Sequence, residues 1–181
     1  MEREYWKWVD RLDADSFREL MLTYGQDVWN YAFLLTGSAT TADDVSQDVF
    51  LRVFHSIAAF RGDSHIRTWL ITITRRIAIN YRRSAFVRKV MLVDRPASRD
   101  AYPSAESEAL SQLQIEAAWA VVMKLPLKFR EVLVLDAKYG YTSREIAQLL
   151  GISEGTVKSR LSRARGKASA AWEGEMLHEG V

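Results

Sequence analysis

The chain has 181 residues, room for one medium domain or two small ones, and a hydrophobic fraction of 48%, far from disordered composition. It has no cysteine, which excludes disulfides, thiolate metal ligands and a thiol nucleophile, and fits a reducing compartment. The net charge of +2 hides an uneven distribution. Residues 1–66 hold six Lys/Arg and eleven Asp/Glu, a net of −5, whereas residues 67–89 hold seven basic residues and no acid, a net of +7. Residues 141–170 carry six basic residues against two acids, a net of +4. Two basic zones separated by acidic chain point to two contacts with one polyanion. The longest run without a charge, Val28 to Ala42, contains Asn30, Thr36, Gly37 and Ser38, so no stretch spans a bilayer. The start, MEREYWKW, is charged and aromatic and lacks the apolar core of a signal peptide.

In chain order the first expected element is a helix over Ala14–Thr36, with Phe17, Leu20, Met21, Tyr24, Val28 and Tyr31 at helical intervals and Gly37-Ser38 as its break. A second helix begins near Thr41, with Asp43 and Asp44 favourably placed at its positive end, and runs through Val45, Val49, Phe50 and Val53 to about Phe60. The turn Arg61-Gly62-Asp63-Ser64 follows. A third helix over Thr68–Arg83 is expected to put Trp69, Leu70, Ile73, Ile77 and Tyr81 on its core face, with Arg75, Arg76, Asn80 and Arg83 opposite.

Between Phe86 and Pro103 the periodicity fails, and the polar, proline-bearing stretch Asp94–Asp100 reads as a linker. Helical pattern resumes at Glu106, and Pro126 fits the first turn of a further helix, where a missing N–H is harmless. The stretch Tyr141–Lys167 then reads as a helix-turn-helix. Thr142 or Ser143 caps a first helix to Leu150, Gly151 supplies the turn, and Ser153 caps a second helix with Val157, Leu161 and Ala164 facing inward. The opposite face carries Lys158, Ser159, Arg160, Ser162, Arg163 and Arg165, the arrangement that lays side chains into a major groove.

Catalysis is unsupported. His55, His65 and His178 lack metal-ligand spacing, and the pair Asp43-Asp44 suits a helix N-terminus better than a metal. Gly151-Ile152-Ser153-Glu154-Gly155 lacks the lysine and preceding strand of a phosphate loop. No cofactor or metal is expected. Trp29, Trp69 and Trp119 fall among apolar neighbours and are expected in cores; Trp6 and Trp8 have no assigned role.

The order of these features resembles the extracytoplasmic-function group of bacterial sigma factors, two-domain members of the sigma-70 family. The resemblance rests on ADDVSQDVFLRVFHSIAAFRGDSHIRTWLITITRRIAINYRR (residues 42–83) and on LPLKFREVLVLDAKYGYTSREIAQLLGISEGTVKSRLSRARGKA (residues 125–168). It implies an all-α fold of two small domains: a sigma region 2-like bundle over 1–86, a flexible linker over 87–105, a sigma region 4-like helix-turn-helix domain over 106–174 and a tail over 175–181. It also implies roles. Asp43, Asp44, Gln47 and Asp48, with Phe50, Leu51 and Phe54, would meet the clamp helices of core RNA polymerase. Arg61, Gly62, Asp63 and Ser64 would hold an extruded base of the promoter −10 element, with Arg75, Arg76, Asn80 and Arg83 on the same DNA. Thr156, Lys158, Ser159, Ser162 and Arg163 would enter or flank the −35 major groove, and Arg144 and Arg165 would hold its backbone.

The implied function is promoter-specific transcription initiation by a non-enzymatic chain whose partners are core polymerase, promoter DNA and an anti-sigma factor. The implied place is the cytoplasm, where an anti-sigma factor can hold such a chain at the membrane. Two other readings stay open from the residues: a free-standing helix-turn-helix regulator, which leaves the basic helix after Gly62 unexplained, and a recombinase or nuclease, which needs a nucleophile or metal site not found in residues 1–90.

Overall fold

A computed structural model describes residues 13–60, 64–91 and 109–178. Every regular element among them is helical. The chain separates into two compact units, residues 1–101 and 102–181.

In the first unit, α1 spans Ala14–Thr36. Asp13 caps it by accepting a hydrogen bond from the Ser16 N–H at 2.7 Å. That bond, helped by the Ser16 hydroxyl, holds the Asp13 carboxyl below its ordinary pKa. Gly37 ends the helix at φ 71°, its N–H bonded to the Phe33 carbonyl at 2.8 Å. A side chain there would crowd the next carbonyl, which is why the break falls on glycine. Ser38 caps α2, Ala39–Ser56, and a 3-10 turn over Ile57–Ala59 follows.

The third helix, α3, runs Ile66–Met91. It starts two residues before the expected Thr68 and continues eight beyond the expected Arg83. Residues 84–91 contain neither glycine nor proline, so loss of the apolar period did not bring a helix stop with it. Its core face also differs from expectation. Ile66, Leu70, Ile71, Thr74 and Ala78 are buried, while Trp69, Ile73, Ile77 and Tyr81 are half-buried. Thr74 tolerates full burial because its hydroxyl donates to the Leu70 carbonyl at 2.8 Å. Helices α1, α2 and α3 pack mutually around Leu20, Val28, Leu34, Val45, Val49 and Leu70.

The described tryptophans sit at the margins of the helical cores. Trp29, Trp69 and Trp119 are half-buried, against the expectation of core positions. An indole has one polar N–H and a large ring, so the edge of a small bundle suits both ends.

The second unit contains α4 (Ala109–Lys124), α5 (Leu127–Ala137), α6 (Ser143–Leu150) and α7 (Glu154–His178). Pro126 lies just outside α5, at its N-cap, with extended ψ of 140°. Its carbonyl still starts the helix by accepting from the Phe129 and Arg130 N–H groups. Val132, Leu135, Ile146, Val157, Leu161 and Ala164 form the buried centre. No helix of the described residues is long and apolar enough to cross a membrane.

Candidate functional site

The helix-turn-helix is built by three local devices. Thr142 and Glu145 form a reciprocal cap: the Thr142 hydroxyl accepts from the Glu145 N–H at 3.3 Å, and the Glu145 carboxylate accepts from the Thr142 N–H at 2.8 Å. Gly151 turns the chain at φ 68°, and the Gly151 and Ile152 N–H groups both close on the Ala147 carbonyl. Ser153 then accepts from the Thr156 N–H at 3.2 Å and opens α7. Val157 and Ala164 are fully buried, which fixes the rotation of α7.

That rotation exposes Lys158, Ser159, Ser162 and Arg163, adjacent on one face at i, i+1, i+4 and i+5. Thr156 is half-buried and its hydroxyl lies 2.9 Å from that of Ser153, inside the cap. Arg144 is exposed on α6. Arg165 donates to Asp136 of α5 at 2.7 Å, a contact no local pattern announces.

In the first unit, Arg76, Asn80 and Arg83 are exposed at i, i+4 and i+7, one continuous stripe of α3. Arg75 is half-buried beside it. Arg61, Gly62 and Asp63 lie outside the described residues, as do Trp6, Trp8 and residues 92–105 of the expected linker, whose first residues, 87–91, instead continue α3. Ser64 is exposed, and Phe60 just before the turn is buried with its ring centre 5.4 Å from that of Trp69.

Helix α2 presents Asp44, Gln47, Asp48 and Leu51 to solvent, with Phe54 45% exposed. Phe50 turns the other way: it is 9% exposed and meets Phe17 edge-on at 6.3 Å. Its ring belongs to the core, because position 50 lies between the buried Val49 and Val53 on the inward side. Two carboxylates of the exposed row have partners on other helices. The Trp29 indole N–H donates to Asp43 Oδ1 at 2.7 Å, and the Tyr81 hydroxyl donates to Asp48 Oδ2 at 2.8 Å. The bond to Asp48 raises the Tyr81 pKa above its ordinary value; burial and the charges of Asp48 and Asp44 add to it. These donors were expected in cores, and their partners lie 14 and 33 residues away, so only packing could reveal them. Among the described residues no His, Asp or Glu cluster could hold a metal ion.

A basic-faced helix-turn-helix in one unit and a basic helical stripe in the other define the class: a DNA-binding transcription protein. Family comparison narrows it. Sigma-70 region 2 matches residues 20–85 and Sigma-70 region 4 matches residues 115–167. The ECF RNA polymerase sigma factor EcfG of Rhodopseudomonas palustris is 32% identical over 157 residues, covering 87% of this chain and 85% of that one. The RNA polymerase sigma factor YlaC of Bacillus subtilis is 33% identical over 153 residues, covering 83% and 88%. In fold, the chain is similar to the sigma factor RpoE of Bartonella quintana, solved with the anti-sigma factor NepR, at a TM-score of 0.73 and 22% identity, covering 88% of this chain and 98% of that one. The chain belongs to the extracytoplasmic-function group of the sigma-70 family. It is an alternative RNA polymerase sigma factor, a non-enzymatic initiation factor.

Proposed function

We propose that the exposed row of α2, formed by Asp43, Asp44, Gln47 and Asp48 with Leu51 and Phe54, is the docking surface for core polymerase. The observation that carries this reading is the composition of that face. Carboxylates stand beside two large apolar side chains that the three-helix core leaves outside, and that mixture suits a partner with both basic and apolar side chains. Phe50 supports the row from beneath through Phe17 and is left out of the contact.

The stripe Arg76, Asn80 and Arg83, with Arg75 beside it and the turn Arg61–Ser64 before it, takes the −10 element. Arginine holds phosphate, an amide can read a base edge, and a flipped base needs a pocket whose stacking and hydrogen bonds offset a few kcal/mol of unstacking. In the other unit Lys158, Ser159, Ser162 and Arg163 face the −35 groove. Thr156 supports them from the cap, and Arg144 and Arg165 hold the backbone. Residues 1–86 thus serve polymerase binding and −10 opening, residues 106–174 serve −35 reading, and the segment between them links two weak contacts into one strong one. The partners are core polymerase, promoter DNA and an anti-sigma factor, all met in the cytoplasm.

The test is transcription in vitro from a pool of host genomic fragments, with core polymerase and with or without the chain. Discrete starts that need the chain, each preceded by a shared pair of spaced motifs, are the expected result. DNA binding without new starts would instead indicate a free-standing regulator. Asp48→Arg combined with Phe54→Ala should weaken polymerase binding; unchanged affinity would remove α2 from the interface.

A further inference from the structure

We propose that Trp29 and Tyr81 are positioning residues for the carboxylates that meet polymerase: Trp29 reaches from α1 to orient Asp43, and Tyr81 reaches from α3 to orient Asp48. The proposal rests on the reading of α2 as the polymerase-facing helix.

Both bonds are short, 2.7 and 2.8 Å, and both span different helices. Each donor engages one carboxylate oxygen, Oδ1 of Asp43 and Oδ2 of Asp48, and the other oxygen of each has no hydrogen bond within the described residues. The chemistry of the donors matters. An indole N–H and a phenol O–H are neutral, so they remove rotamer freedom while leaving the full negative charge for an incoming cation. An arginine or lysine in either place would have oriented the carboxylate and cancelled it. A surface aspartate left to itself loses that freedom on binding, at a cost that a pre-oriented one avoids.

Asp44, between them in sequence, is exposed and has no such brace among the described residues, so orientation there falls on the two positions that adjoin α1 and α3. Tyr81 has a second consequence. It follows Asn80 on α3 but turns away from the basic stripe toward α2, so one hydroxyl connects the helix assigned to −10 DNA with the helix assigned to polymerase. The placement of the acidic row is therefore set by packing among all three helices and not by α2 alone.

A double-mutant cycle on the full chain tests this, with affinity for core polymerase measured by competition at fixed ionic strength. Tyr81→Phe deletes one oxygen and keeps the ring. It should weaken binding by about 3- to 10-fold, the range for one side chain losing its pre-orientation. In the Asp48→Ala background, the same change should have less than about a twofold effect, because its route to polymerase is gone. Trp29→Phe with Asp43→Ala repeats the cycle from the other side, and circular dichroism confirms that every variant compared is folded. Wild-type affinity for Tyr81→Phe, with Asp48→Ala weakened, overturns positioning and leaves the polymerase surface standing. Equal weakening by Tyr81→Phe in both backgrounds also overturns it, since the effect would then bypass Asp48. Wild-type affinity for Asp48→Ala itself removes the underlying reading, and the proposal with it.

Discussion

Arg165 of α7 and Asp136 of α5 are joined by an ion pair of 2.7 Å, with side chains 61% and 28% exposed. The pair ties the recognition helix to its support where the helix-turn-helix ends. At that exposure it contributes about 0–1 kcal/mol to stability. Under the proposed backbone contact of Arg165, Asp136 competes with phosphate for the guanidinium. Asp136→Asn should tighten binding of the full chain with polymerase to promoter DNA, and Arg165→Gln should lower the slope of log affinity against log salt by about 1. Salt titrations on one promoter measure both, and an unchanged slope for Arg165→Gln would remove it from the backbone contacts.

Stability and recognition should separate cleanly on α6 and α7. Ile146 is fully buried, and Ile146→Ala should cost about 2–5 kcal/mol in urea unfolding of the second unit. Arg163 is exposed, and Arg163→Ala should leave the unfolding midpoint in place while weakening −35-dependent promoters by about 1–3 kcal/mol. Shared loss of stability by both variants would contradict the assignment of faces.

Two glycines of the same unit should respond in opposite senses to alanine. Neither Gly151 nor Gly166 has an atom within 4 Å of an added β-carbon, so backbone conformation alone decides. Gly151 sits at φ 68°, and Gly151→Ala should destabilise by about 1–2 kcal/mol. Gly166 lies inside α7, and Gly166→Ala should stabilise by about 0.5–1 kcal/mol. Chemical denaturation of the two variants side by side checks the signs.

The Tyr81–Asp48 bond should appear in alkaline unfolding. The folded state raises the Tyr81 pKa above its unfolded value near 10, so the protonated phenol is favoured by folding. Its contribution is complete below pH ~10 and disappears as pH rises through the folded pKa. The difference in unfolding midpoint between the chain and Tyr81→Phe should therefore shrink above pH ~10. A difference that stays constant to pH ~11.5 would show that the hydroxyl is not bonded to a carboxylate.

The elements most legible in the sequence are those with local signals. Gly37 and Gly151 marked helix ends because left-handed backbone favours glycine, and Thr142 and Ser153 marked starts because short hydroxyl side chains satisfy free N–H groups. The helix-turn-helix was readable almost residue by residue, since caps, turn and apolar period all lie within 27 residues of chain. The end of α3 was not readable, because residues 84–91 lose periodicity without a stop signal.

What the sequence determined by itself is the class: two helical units, two basic zones, and the motif order of the family. Those are properties of spacing and charge along the chain, and they need no third dimension. Tertiary structure decided which side chains of a helix remain available. It turned Phe50 inward onto Phe17, moved three tryptophans from the core to its edge, paired Arg165 with Asp136, and set Trp29 and Tyr81 on the carboxylates of α2. Each of these depends on how neighbouring helices rotate against one another, between residues 14 to 33 positions apart, and no local pattern encodes that rotation.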